Sequence, residues 1–196
     1  GLGNKVGSEF RVNSHTTNDQ GFATATTLSN GDFLVTWTSN SQSSNTSGYD
    51  LYGQRYDGSA NKIGSEFLIS KTIEGDQAYA GSINVPGQSV GALNNSGFVV
   101  TWHNQNSSTG DYDIHSQIFD SSNNKVLMPD NKGLSDSENQ VNTHSNNHQT
   151  TPTVAKLGNT GFVTIWSSRD QDGSDQGIFG QQFNNSGEKV GSEFQV

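Results

Sequence analysis

Cysteine is missing from this chain of 196 residues, and proline and methionine are scarce, with three and one copies. The missing cysteines exclude a disulfide scaffold and a cysteine nucleophile. Cations are few as well: 10 Lys plus Arg stand against 19 Asp plus Glu, for a net charge of −9. With no basic patch or arginine cluster, nucleic acid is excluded as a ligand on electrostatic grounds. No apolar run approaches the roughly 20 residues of a membrane span, so membrane insertion is not expected. No helical hydrophobic period and no signal peptide is found, and the chain opens at Gly1 rather than Met. It therefore reads as a processed mature chain or a piece of a longer one.

What is present is a repeat. Lys5-Val6-Gly7-Ser8-Glu9-Phe10 returns as Lys62-Ile63-Gly64-Ser65-Glu66-Phe67 and as Lys189-Val190-Gly191-Ser192-Glu193-Phe194. A second anchor is the run ending in Trp37, Trp102 and Trp166, spaced 65 and 64 residues apart. A third is Gly53-Gln54-Arg55-Tyr56, matched by Ser116-Gln117-Ile118-Phe119 and Gly180-Gln181-Gln182-Phe183. Three anchors at one spacing define three units. Their bounds are about 13–69, 70–142 and 143–196, with 1–12 an extra terminal strand.

Each unit holds four short segments rich in Val, Ile, Thr and aromatics, separated by Gly, Asn, Asp and Ser. That is a strand-and-turn signature. Asn30-Gly31, Asn95-Ser96-Gly97 and Asn159-Thr160-Gly161 suit tight hairpins, because Asn and Gly accept positive φ. Along the second strand, Phe33, Val35 and Trp37 share one face and Leu34 and Thr36 the other. Strands apolar on both faces lie between two other layers. The fold class expected is all-β: three four-stranded antiparallel units arranged as β-propeller-like blades, with a three-sided β-prism as the alternative. Phe33, Trp37, Phe98, Trp102, Phe162 and Trp166 are expected to be buried, which takes the tryptophans away from sugar stacking. The second unit departs from the pattern. It carries an eight-residue insertion near Ala80 to Pro86, and its fourth strand resumes only at Glu138 to Asn142.

The segment from Gly48 through Tyr52-Gly53-Gln54-Arg55-Tyr56-Asp57, followed by Gly64-Ser65-Glu66-Phe67, resembles tandem repeats of large secreted bacterial proteins. Those proteins are often adhesin-like and often carry haemolysin-type (RTX) calcium-binding regions elsewhere. The resemblance covers all three units, and the first and third most clearly. It implies a location outside the cell or at its surface and a structural or adhesive role, and it supplies no activity.

Several residues invite chemistry. Asp170, Asp172 and Asp175 flank Gly173 in a loop that could offer oxygens to calcium, although no closing Glu follows and a polar turn explains the same residues. Tyr49, Asp50, Tyr52, Tyr112, Asp113 and His115 lie near loops and are the ligand-binding candidates, with edge packing as the plain alternative. The single histidines read as surface residues. Glu9, Glu66 and Glu193 recur once per repeat, which suggests a structural hydrogen bond rather than an acid–base pair. No catalytic constellation is visible, so no enzyme activity is expected.

Two functions follow. The first is a non-enzymatic extracellular structural or adhesive module that assembles with itself or with adjacent repeats. The contact would come from the surplus terminal strand through Val6, Ser8, Phe10 and Val12, since an unpaired edge templates another chain. The alternative is a lectin with one shallow site per repeat that binds cell-surface glycans.

Overall fold

The computed structural model describes residues 4–43, 48–71, 76–78, 87–130, 133–135 and 138–196. Strands follow the apolar segments closely. The first unit holds β1 (Gln20–Thr27), β2 (Phe33–Asn40), β3 (Tyr49–Tyr56) and β4 (Lys62–Leu68). The second holds β5 (Gln88–Ala92), β6 (Phe98–Gln105) and β7 (Tyr112–Phe119), a short hairpin of β8 (Met128–Asp130) and β9 (Gly133–Ser135), and β10 (Asn139–Gln140). The third holds β11 (Gln149–Leu157), β12 (Gly161–Arg169), β13 (Gln176–Asn184) and β14 (Lys189–Gln195). They form three four-stranded antiparallel sheets, β1-β2-β3-β4, β5-β6-β7-β10 and β11-β12-β13-β14. These are propeller-like blades. Among the described residues no helix is long and apolar enough to cross a membrane.

The hairpins form where Asn and Gly supply positive φ: Gly31 stands at 89° and Asn95 at 59°. Leu28 N donates to Asp32 O and Leu93 N to Gly97 O, closing the first two turns at 2.8 Å each. First strands of neighbouring blades adjoin, with β5 between β1 and β11. Val154 N donates to the Ser89 hydroxyl across one such junction at 3.3 Å.

The blades stack through their faces, and strand alternation explains how. Leu34 and Leu51 of blade 1 face Phe98, Val100 and Trp102 of blade 2 in one core. Val99 and Ile114 on the other face of blade 2 meet Phe162, Trp166 and Phe179 of blade 3 in the next. Trp102 and Trp166 thus face the preceding blade, Trp37 lies against Val12 of the segment entering blade 1, and all three are almost wholly buried. Phe33 is only half-buried, because no blade precedes blade 1 among the described residues, whereas its counterparts Phe98 and Phe162 are wholly buried between blades.

The repeated glutamine and glutamate each have a mechanical task. Gln54 donates to Arg55 O at 2.9 Å and Ile63 O at 3.2 Å, stitching β3 to β4 across a register shift. Gln117 and Gln181 do the same in blades 2 and 3. Glu66 accepts from Ser14 N at 2.7 Å and Glu193 from Thr143 N at 2.8 Å, each holding the segment that enters its own blade. Glu138 accepts from Lys71 N in blade 2. Of the three recurring glutamates, Glu66 and Glu193 thus make structural hydrogen bonds.

Two expectations are corrected. Residues 5–12 form no strand and are not left without a place in their own chain. Phe10 packs on Tyr56 at 5.4 Å, and Tyr56 donates its hydroxyl proton to Val12 O at 2.9 Å. Val12 lies against the Val35, Trp37 and Tyr52 cluster of blade 1. It occupies there the place of Ile69 beside Trp102 and Val141 beside Trp166. Second, His103 is wholly buried rather than at the surface. The outer strand of blade 2 is split, and it resumes within the Glu138 to Asn142 segment where the sequence placed it. Lys125 bridges Phe119, the chain leaves through β8 and β9, and β10 returns to pair with His115 and Ser116. The insertion near Ala80 to Pro86 lies outside the described residues.

Candidate functional site: a cleft between blades 2 and 3

The turn after β3 is built alike in all blades. Asp57, Asp120 and Asn184 each accept, on one side-chain oxygen, backbone N–H groups two and four residues ahead, the Asx-turn habit of these residues. These turns meet the β1–β2 type hairpins of the neighbouring blade, so each junction has a rim of polar turn residues over an apolar interior.

At the junction of blades 1 and 2 the space is filled. Arg55 pairs with Asp32 at 2.8 Å, with the two side chains 4% and 15% exposed. The same guanidinium donates across to the carbonyl of Ser121 in blade 2. At the junction of blades 2 and 3, Ile118 stands where Arg55 does, and Gly97 where Asp32 does. The shorter side chain and the missing one leave a cleft of about 490 Å³.

Its floor is apolar: Leu93, Ile118, Phe119 and Val126. Its rim is polar, with Asn94, Asn95, Asp120, Ser121 and Asn185. Asn94 and Asn185 both donate to Asn159 O, at 3.3 and 2.7 Å. That shared acceptor fixes two carboxamides from different blades beside each other and leaves their side-chain oxygens for other partners. Burial pushes the Asp120 carboxyl up, but the backbone and side-chain hydrogen bonds from Asn124 outweigh this, and its pKa is lowered. Asp120 is therefore an anion at neutral pH, and among the described residues it is the one carboxylate in the lining.

The residues singled out in the sequence lie elsewhere. Tyr52 is buried against Trp37, with its hydroxyl 2.7 Å from that of Ser43. Asp50 is wholly buried, and Tyr49 donates to Asp19 at 3.5 Å. Asp113 accepts from Asn142 at 2.6 Å. His115 lies 3.5 Å from Glu138. Tyr112 is half-buried between His103, at 5.1 Å edge-on, and His148 at 5.5 Å. These six belong mainly to blade packing and do not converge on the cleft.

The loop 170–175 closes as a turn, with Asp170 N donating to Asp175 O at 2.8 Å. Asp172 accepts from Ser174 N at 3.0 Å and from Gln195 at 2.9 Å. Arg169 lies between Asp170 and Asp175, at 3.8 and 3.7 Å. Among the described residues no group of three His, Asp or Glu side chains is gathered as a cation site.

Sequence reasoning missed the cleft because it looked for residues that repeat. The usable signal was the opposite one: Arg55, Ile118 and Gln182 differ at one position inside an anchor that otherwise recurs.

No protein-family model and no curated protein matches the chain. Solved structures of similar fold include two glycoside-acting enzymes. One is a thermostable family-43 glycoside hydrolase, with a TM-score of 0.54 and 11% identity over 91% of this chain and 60% of that one. The other is an α-L-arabinofuranosidase from Lactobacillus brevis, with a TM-score of 0.51 and 10% identity over 92% of this chain and 57% of that one. The chain spans about three-fifths of the length of these structures. The expectation of a structural or adhesive module that self-assembles through residues 5–12 is corrected by two findings. The similar folds are those of carbohydrate-active proteins. The segment offered for assembly packs on its own blade 1.

Proposed function

We propose that this chain is a carbohydrate-binding module that works outside the cell or at its surface. The observation that carries the reading is the cleft between blades 2 and 3, with its apolar floor and carboxamide rim. A sugar ring has an apolar C–H face and an edge of hydroxyls that both donate and accept. Paired asparagine side chains answer such hydroxyls, and an apolar floor answers the ring. Two proteins of similar fold are named for glycoside substrates, which supports the same ligand class. Binding without turnover is the expected outcome. Glycoside hydrolysis ordinarily needs two carboxylates about 5–9.5 Å apart, and among the described residues one lines this cleft.

A glycan array probed with the chain, followed by a reducing-sugar assay on every glycan bound, tests the reading. Retention of a defined glycan set with no sugar released is the expected result. Retention of none would overturn carbohydrate recognition, and release of sugar would make the chain a hydrolase.

A further inference from the structure

From the difference between the two blade junctions, and resting on the carbohydrate reading, we infer that the chain has one glycan site rather than one per repeat, in the cleft between blades 2 and 3, and that this site takes an uncharged sugar ring.

The blades are built alike, so the two junctions are natural controls for each other. At the first, the Arg55 side chain crosses the gap, pairs with Asp32 and reaches the Ser121 carbonyl. A guanidinium with its partners satisfied closes that junction to a ligand. At the second, Ile118 ends short and Gly97 has no side chain, and the gap of about 490 Å³ stays open. That volume falls within the roughly 300–1,000 Å³ typical of small-molecule sites. Beyond blade 3 there is no facing blade among the described residues: Ile178, the counterpart of Leu51 and Ile114, is 44% exposed. One of the three repeats therefore offers a walled cleft.

The rim selects the ligand's charge. Asn94 and Asn185 are held side by side by their common acceptor, Asn159 O. Their free oxygens, with the Ser121 hydroxyl and Asp120, present acceptors to a ligand that must bring hydroxyl donors. Among the described residues no Lys or Arg lines the cleft, and Asp120 places a negative charge at its edge. The whole chain carries −9 besides. A uronate would meet repulsion without a cation to offset it.

Isothermal titration with arabino- and xylo-oligosaccharides on one side and galacturonate oligomers on the other tests this. The intact chain should bind a neutral oligomer at one site per chain and leave galacturonate oligomers unbound. Ile118→Arg copies the closed junction and should abolish binding, with circular dichroism and gel filtration reporting whether it stays folded. Asn185→Ala changes an exposed rim residue without burying a charge and should weaken binding about tenfold. If the intact chain binds a neutral sugar and Asn185→Ala and a folded Ile118→Arg both bind it unchanged, the cleft assignment is overturned and carbohydrate recognition stands elsewhere on the chain. Three sites per chain, or equal binding of galacturonate, would overturn the single neutral site. Binding of no sugar at all would remove the functional reading itself.

Discussion

At the scale of single residues, the repeated side chains hold the blades and the unrepeated ones make the differences. The glutamine of each third strand is legible as a repeat in the sequence, and the structure gives its reason: its side-chain N–H₂ group satisfies carbonyls that a register shift leaves open. His103 was misread as a surface residue from its polar type, although alternation sets it on the Val99 and Thr101 face of a strand buried on both sides. It is enclosed at the blade 2–3 side, edge-on to Tyr112, and neither ring nitrogen has a hydrogen-bond partner. Burial lowers its pKa from 6.5 to about 4. Above pH 6.5 the ring is neutral in folded and unfolded chains alike. Between pH 6.5 and about 4 the unfolded chain takes up a proton that the folded chain refuses, so stability falls as pH falls. The loss should be on the order of 3 kcal/mol. Denaturant titrations at pH 7 and pH 4.5 should show it, and His103→Asn should flatten the slope. An equal slope in that variant would place the pH dependence in the carboxylates.

At the scale of elements, the twelve core strands follow the sequence segments because alternation and hairpin residues agree locally. Two elements escaped that logic. Gly-Ser-Glu-Phe makes an outer strand at β4 and β14, yet the same residues at 7–10 form none. An outer strand needs a third strand beside it, and residues 5–12 have none ahead of them in the described chain. The segment instead supplies Val12 to the Trp37 cluster. Deleting residues 1–12 should therefore uncover Trp37, shift tryptophan emission to the red and lower stability by about 1–3 kcal/mol, while leaving the association state unchanged. An unaltered melting temperature would show that the segment rests on blade 1 without holding it. The split outer strand of blade 2 is the second case. The sequence showed where strand character returned at Glu138 to Asn142, but not that Met128 of the excursion enters the blade 2–3 core.

At the scale of the whole molecule, the same strand position meets different surroundings in each blade. Leu51 and Ile114 are fully buried between blades, whereas Ile178 is 44% exposed on the outer face of blade 3. Leu51→Ala and Ile114→Ala should each cost about 2–5 kcal/mol, from lost burial and the cavity left behind. Ile178→Ala should change stability by no more than about 0.5 kcal/mol. Chemical denaturation of the three variants checks this. Equal losses at all three positions would mean that the outer face of blade 3 is covered in solution.

The sequence by itself determined the three-fold repeat, the all-β class, the hairpin turns and the burial of the tryptophans. Each of these is set by local alternation, by the backbone freedom of Asn and Gly, and by the recurrence of anchors at one spacing. Tertiary structure alone decided where a ligand could fit. The cleft depends on Ile118 and Gly97 standing opposite Asn185 of the next blade, and the closed junction depends on Arg55 reaching Ser121, 66 positions along the chain. The break in the repeat at Arg55, Ile118 and Gln182 marks the position in the sequence, but not what it faces, because each partner is an ordinary strand or turn residue until the sheets are stacked.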